Sequence, residues 1–119
     1  MEQATNYRAI VAWGNYLSQD RPDKQFAVNE ACWEMSTPKM SAWSRLERIG
    51  QYLKGKPWLV WHFSWQEAPT TIDVYADASW AGCSRTRKST SGGCVMSRQH
   101  RIKTWSKTQF LIAKSSAES

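Results

Sequence analysis

The apolar residues of this chain change their spacing near residue 57, and this change limits the folds available to it. Up to that point they recur every three or four positions, which is the period of a helix with one buried face. From Trp58 onward they alternate with polar residues, which is the period of a strand. Because every helical segment precedes every strand segment, the sequence predicts an α+β chain, with a three-helix unit followed by an antiparallel β meander.

Three helices are expected within residues 1–57. The first covers residues 4–18. Pro22 and Pro38 each suit the first turn of a helix, so the second and third helices are expected to begin beside them. Gly55 and Pro57 end the third. The side chains expected to face inward are Tyr7, Ile10, Val11, Leu17, Val28, Ala31, Cys32, Met35, Trp43, Leu46, Ile49 and Leu53.

Four strands are expected after residue 57. Residues 58–65 predict a strand with Leu59, Trp61, Phe63 and Trp65 on one side, and residues 66–71 form a loop around Pro69. A second strand covers residues 72–79, and residues 81–92 form a long polar loop. The last two strands cover residues 93–97 and 102–107 and are joined by a polar turn. Both faces of the first strand are hydrophobic enough to predict burial against another part of a larger protein.

The charge of the chain is strongly asymmetric. The 119 residues carry a formal net charge of +6. Residues 78–117 contain no acid and eight bases, which are Arg85, Arg87, Lys88, Arg98, Arg101, Lys103, Lys107 and Lys114. This excess predicts that the C-terminal half lies against nucleic acid. The alternative is a solvated basic face without a partner, because charge alone specifies nothing.

Asp77 lies at the end of the strand over residues 72–79, immediately before the acid-free stretch. A carboxylate beside a basic surface is what a metal-dependent enzyme acting on phosphodiesters needs, since the metal takes oxygen ligands and the polyanion takes cations. The alternative is an ordinary surface acid. His62 and His100 lack the spacing of a zinc site, and no Ser, His and Asp triad is evident.

The cysteines and the apolar runs bear on the compartment. Cys32, Cys83 and Cys94 form no C-x-x-C pair and are odd in number, which argues against a disulfide framework and favours a reducing compartment. The first residues lack a signal-peptide pattern, and no run approaches the ~20 apolar residues of a membrane span. We therefore expect a soluble intracellular protein, cytoplasmic or nuclear, with no membrane partner.

Seven segments together resemble one known family. In order they are YRAIVAWGNYL, DRPDKQFAV, MSTPKMSAWSRLERIGQYLKG, YADASWAG, RKSTSGG, IKTWSKTQ and IAKSSAE. This series is similar to the C-terminal part of copia-type retrotransposon Pol polyproteins, at the junction of reverse transcriptase and ribonuclease H. The resemblance implies a thumb and connection segment over residues 1–57 and a connecting strand and loop over residues 58–71. Residues 72–119 would be the N-terminal half of a ribonuclease H-like domain.

The resemblance also implies a catalytic role for Asp77. In the family, an aspartate at this position helps a glutamate and two later aspartates to hold two Mg²⁺ ions roughly 4 Å apart. Glu118 is the second catalytic candidate, but it matches the first glutamate of the family motif, whereas the second glutamate is the metal ligand. The alternative for Glu118 is a residue that only starts a helix. The later aspartates have no counterpart in this sequence. One carboxylate does not hold Mg²⁺ against its hydration, so we expect this chain to retain neither the two ions nor much nuclease activity.

A second kind of site is predicted in the loop after Asp77. Its glycines and hydroxyl residues let backbone N–H groups approach phosphate oxygens, and its basic residues supply charge. The residues predicted to bind nucleic acid are Arg85, Arg87, Lys88, Ser89, Thr90 and, on the last strand, Lys103. Trp105 would share a face with Lys103 and either stack on a base or pack in the core. The alternative is a mobile basic loop.

Three hypotheses follow. The first is a Pol fragment whose lineage activity is hydrolysis of the RNA strand in RNA:DNA hybrids during reverse transcription, with the chain itself inactive. The second is a binding module without catalysis that uses the basic half and takes an RNA:DNA hybrid or duplex as its partner. The third is an unstable product without function. The expected partners are nucleic acid, as an RNA:DNA hybrid or duplex, and the remainder of a Pol polyprotein.

Overall fold

The computed structural model describes residues 2–83 and 86–115. The chain divides into two compact units, Met1–Trp61 and His62–Ser119. The first contains three α-helices and the second a three-stranded antiparallel sheet, so the predicted α+β arrangement is confirmed. No described helix is both long enough and apolar enough to cross a membrane.

The helical unit is built from α1 (Glu2–Leu17), a short 3₁₀ helix (Pro22–Lys24), α2 (Gln25–Trp33) and α3 (Met40–Gly55). Pro22 occupies the first turn of the 3₁₀ helix, where its missing N–H removes no bond. Gln25 then donates through Nε2 to the carbonyl of Ser18 at 2.8 Å, so α2 is tied back to the end of α1.

Tyr7 is at the centre of the helical core. Its ring is fully buried and meets the ring of Trp43 edge to face at 5.4 Å, and its hydroxyl donates to the carbonyl of Ala31 at 2.9 Å. Val11, Ala31 and Ala42 complete the buried cluster. The periodicity also placed Ile10 and Leu17 inside, but both are about half exposed, at 48% and 47%. The two helices that pack beside α1 do not cover every apolar position on it.

The sheet consists of β1 (Asp73–Ser79), β2 (Thr90–Ser97) and β3 (His100–Thr108), in the order β1-β2-β3. All pairs are antiparallel, so the predicted meander is confirmed. β3 carries one extra residue, Ile102, because Val95 lies opposite Lys103 while Met96 lies opposite Arg101. The hairpin between β2 and β3 has a two-residue loop whose first residue, Arg98, has a positive φ of 54°.

The strand predicted over residues 58–65, within the connecting segment 58–71, is wrong. No regular structure is present there, and Trp58, Val60 and Trp65 are 84–87% exposed. Alternation is not sufficient for a strand, because a strand also needs a neighbour to pair with. Side chains fix the segment instead: Gln66 donates to the carbonyl of Ser97, and His100 Nε2 lies 2.6 Å from the carbonyl of Ser64.

Candidate functional site: two faces of the sheet

Asp77 lies near the end of β1, with Gly92 opposite it on β2 and Ser106 opposite Gly92 on β3. Because directly paired residues project to the same face, Asp77 faces solvent beside two positions with little or no side chain. Asp77 is exposed, and its Oδ1 accepts a 2.8 Å hydrogen bond from the N–H of Ala78. The carboxylate therefore has open space above the sheet.

The acids needed for a two-metal site do not gather around Asp77 in the described part of the chain. Asp73 shares its face but lies four residues back along the same strand, about 13 Å away. Among residues 2–83 and 86–115 no group of three or more His, Cys, Asp or Glu residues is close enough to bind one ion. Glu118 lies outside the described residues. The oxygen donors that surround Asp77 do not fit Mg²⁺, which requires several anionic oxygens.

Two of the three basic residues of β3, Lys103 and Lys107, lie on the other face of the sheet, whereas Arg101 pairs with Met96 on the face of Asp77. Lys103, Trp105 and Lys107 alternate along β3 and pair with Val95, Gly93 and Ser91. Gly92, which pairs with Asp77, belongs to the opposite parity of β2. Asp77 and Lys103 were both predicted as site residues, but the register directs them to opposite faces, so they do not form one site.

Trp105 packs flat on the sheet at the centre of the face that carries Lys103 and Lys107. A β-carbon added at Gly93 would come within 3.0 Å of two atoms of the Trp105 ring and of the carbonyl of Tyr75. The indole therefore lies directly over Gly93, and its residue is half-buried. Between Lys103 and Lys107, the ring provides a flat apolar surface that a base or a sugar can contact.

A groove of about 480 Å³ continues from this face along the end of β3. Phe110 is 88% exposed, and the Nζ of Lys88 lies 5.4 Å from the centre of its ring, at cation–π distance. The side-chain amide of Gln109 donates to the hydroxyl of Ser91 at 2.9 Å, which links two residues of the groove lining. The groove combines cations, aromatic rings and hydroxyl groups, and its lining consists of Lys88, Ser91, Trp105, Lys107, Thr108, Gln109 and Phe110.

Ser89 and Thr90, at the start of β2, are buried and not available at the surface. Ser89 is fully buried, its hydroxyl accepts from the N–H of Ala81 at 3.1 Å, and its carbonyl accepts from Gln109 at 2.8 Å. Thr90 is 8% exposed and begins β2. The predicted contacts of these two residues with nucleic acid would require the loop to rearrange.

Among the basic loop residues, Arg87 is exposed with a positive φ of 56°, and its N–H donates to the carbonyl of Cys83. Its exposed side chain can therefore contact a ligand without breaking the turn. Arg85 lies outside the described residues. Sequence reasoning missed Lys107 and Phe110 as site residues. Lys107 lies two residues after Trp105 and four after Lys103, so strand alternation could have placed it on the same face. No local sequence feature distinguished Phe110.

The chain is similar to proteins of Arabidopsis thaliana. It is 36% identical over 116 residues to the retrovirus-related Pol polyprotein from transposon RE2, covering 96% of this chain and 8% of that protein. It is 32% identical over 116 residues to the uncharacterized mitochondrial protein AtMg00810, again over 96% of this chain. The chain spans 47% of the length of that relative.

A shorter relative is matched over most of its own length. The uncharacterized mitochondrial protein AtMg00240 of the same plant is 30% identical over 81 residues, which are 68% of this chain and 72% of the relative. Neither a protein-family model nor a solved structure matches the chain.

Proposed function

From the premise that the chain belongs to the family of the Arabidopsis mitochondrial protein AtMg00240 and has transposon Pol homologues, we propose a nucleic-acid-binding function. In this proposal the chain derives from the reverse transcriptase and ribonuclease H region of a copia-type element. Its sheet is the first part of a ribonuclease H-like domain that binds nucleic acid and does not cut it. The lineage activity is hydrolysis of the RNA strand in RNA:DNA hybrids.

The observation that carries the proposal is the basic and aromatic face of β3. Lys103 and Lys107 flank Trp105 on that face, and Lys88 adds a third cation along the groove. Phosphate oxygens bind lysine ammonium groups, and bases or sugars stack on exposed rings. These contacts need no metal, and they read the backbone rather than the sequence of the nucleic acid.

Cleavage needs a cluster of carboxylates to hold metal ions, so we propose that this chain binds nucleic acid without cutting it. Asp77 has no acidic cluster around it within the described residues. The proposal therefore gives Asp77 the position of a catalytic aspartate without the partners that would let it act. Relatives that carry a complete acid set would use the same strand for catalysis.

A further partner in this proposal is the remainder of a Pol polyprotein, because the chain aligns with only 8% of its RE2 homologue. Apolar side chains such as Trp13 and Trp58 are 67% and 84% exposed. Surfaces of this kind are typical of contacts with another protein segment.

Two measurements on the 119-residue chain test the proposal. The first is fluorescence anisotropy with a labelled RNA:DNA hybrid at 50 and 200 mM salt. If Lys88, Lys103 and Lys107 each neutralise one phosphate, affinity should fall roughly 40-fold between those concentrations, from a slope of about −0.9 per phosphate. Binding that is absent, or that does not respond to salt, would contradict the proposal.

The second measurement is cleavage of the same hybrid with Mg²⁺. We expect no products above background, in wild type and in Asp77→Asn alike. Products that form with wild type and disappear with Asp77→Asn would show a working nuclease and overturn the inactive form of the proposal. Binding by Asp77→Asn should equal that of wild type, because its carboxylate lies on the other face.

A further inference from the structure

The helical unit contains a pocket that the proposed function does not use. It has a volume of about 330 Å³ and lies between the 3₁₀ helix, α2 and α3. The charged side chains that line it are Asp23, Lys24, Glu30, Arg45 and Arg48. Three cations and two carboxylates give the pocket a formal charge of +1. Whether it favours an anion depends on whether each carboxylate is already paired with another group.

Lys24 has an unusual environment in this pocket. Lys24 is 2% exposed, and within the described part of the chain its buried Nζ has no hydrogen-bond partner. It also lines an adjacent cavity of about 170 Å³ whose other residues, among them Val28 and Ile49, are largely apolar. A buried ammonium without an acceptor is unfavourable, and a ligand that supplies one relieves that cost.

Burial is also the main cause that lowers the pKa of the Lys24 ammonium, with repulsion from Arg21 acting in the same direction and attraction from Asp23 opposing it. A negatively charged ligand beside Nζ would favour the charged form. The pocket therefore stabilises this cation poorly in the absence of a ligand.

Asp23 is not free to be the partner that Lys24 lacks. Its two carboxylate oxygens accept hydrogen bonds from Arg21, at 3.0 and 2.8 Å, and one of them also accepts from the Tyr52 hydroxyl at 2.8 Å. Arg21 balances the charge of Asp23. Glu30 is then the one lining carboxylate that opposes the three cations Lys24, Arg45 and Arg48.

We propose that this pocket binds a phosphate group, with the Lys24 ammonium and the Arg45 and Arg48 guanidinium groups as donors. Guanidinium groups match the oxygens of phosphate in pairs, and an ammonium adds a compact charge. Every residue involved lies in the helical unit, so the proposal does not depend on the function proposed for the sheet. The phosphate belongs either to a polynucleotide backbone or to a free phosphate compound.

The test is isothermal titration of the whole 119-residue chain with inorganic phosphate at constant ionic strength. Variants Lys24→Met and Arg48→Gln remove donors, and Lys54→Met is the control because Lys54 is an exposed lysine of α3 outside the pocket. We expect one phosphate per wild-type chain. Affinity should fall about tenfold or more in both pocket variants, as the loss of a charged hydrogen bond predicts, and less than about twofold in the control.

Lys24→Met adds a readout that separates a ligand-binding lysine from a structural one. Because it keeps the length of the side chain and removes an unpaired buried charge, it should raise the melting temperature measured without phosphate. Failure of wild type to bind phosphate would overturn the proposal, as would equal affinities for wild type and Arg48→Gln. A lower melting temperature of Lys24→Met together with unchanged phosphate affinity would do the same.

A competition experiment then distinguishes the two sources of phosphate. An RNA:DNA hybrid that displaces inorganic phosphate from wild type identifies the ligand as a polynucleotide backbone. Displacement by uridine monophosphate without displacement by the hybrid identifies a small phosphate compound. Both results support the pocket, and failure of every phosphate compound to compete would overturn it.

Discussion

Gly93 lies directly beneath the indole of Trp105, so close that no β-carbon fits between them. Gly93→Ala should therefore force the ring or β2 to move, at a cost of about 1–3 kcal/mol in the free energy of unfolding. The neighbouring Gly92→Ala is a matched control, because its added β-carbon would stand 3.6 Å from the carbonyl of Trp105, an ordinary contact. Urea denaturation, monitored by hydrogen exchange of the β2 and β3 amides, measures the stability of both variants. Equal midpoints for the two variants would contradict this packing of the indole on Gly93.

Tyr7 provides a test of the helical core. Tyr7→Phe removes the 2.9 Å hydrogen bond to the carbonyl of Ala31 while keeping the ring, and should cost about 1 kcal/mol of stability. Tyr16→Phe is the control, since Tyr16 lies on the same helix and is 67% exposed. Thermal unfolding followed by circular dichroism at the helix band compares them. An equally large destabilisation in Tyr16→Phe would mean that the hydroxyl of Tyr7 is not specially placed.

Asp23 should contribute to the acid stability of the helical unit. Its hydrogen bonds from Arg21 lower its pKa from 3.8 to about 2. Because the folded pKa lies below the unfolded value, the stabilisation is present above about pH 4 and is lost as pH falls toward 2. Asp23→Asn should therefore lower the melting temperature at pH 6 and have little effect near pH 2. Asp20→Asn, at an exposed aspartate three residues earlier, is the control. A pH-independent effect of Asp23→Asn would contradict the ion pair.

Lys103 and Lys107 should act together in binding to nucleic acid. The double change Lys103→Gln and Lys107→Gln should reduce the salt slope of hybrid binding by about 1.8, which is about 0.9 for each phosphate that is no longer neutralised. Arg98→Gln removes a charge from the hairpin loop of the same sheet, where Arg98 lies 3.9 Å from Glu67. That control should change the slope by less. Anisotropy titrations at four salt concentrations give both slopes, and a double variant with the slope of wild type would exclude this face.

Ser89 tests whether the loop before β2 is structural or binds a ligand through its hydroxyl. Ser89→Ala leaves the N–H of Ala81 without its acceptor and should cost about 1–3 kcal/mol. The salt slope of hybrid binding should not change, because the buried hydroxyl contacts the loop. A smaller salt slope in a variant of normal stability would assign Ser89 to phosphate binding instead.

Periodicity predicted the three helices, because each buries part of one face at the expected spacing, and alternation predicted strands at β1, β2 and β3. β1 forms although six of its seven residues are exposed, and β2 begins at Thr90, inside the loop predicted over residues 81–92. The same signal failed at residues 58–65, where alternation is equally clear but the described residues provide no neighbouring strand. A helix satisfies its own backbone, whereas a strand depends on a partner that sequence alone does not identify.

The candidate site was predicted residue by residue but not as an arrangement. Whether Asp77 and Lys103 share a face depends on the pairing register of β1, β2 and β3, and a shift of one residue would reverse the answer. Lys24 was not anticipated at all. Its burial depends on side chains of α1, α2 and α3 that are distant in sequence and line the same cavities, and a lysine in a polar turn gives no local sign of it.

β1 is one of the two outer strands of the sheet, and six of its seven residues are exposed. Along that edge, alternate amide and carbonyl groups face away from β2 and meet no strand in the described part of the chain. Such an edge is a template for any extended peptide, including β1 of a second copy. Asp73 and Asp77 place negative charge on this strand, and charged side chains on an outer strand oppose such pairing.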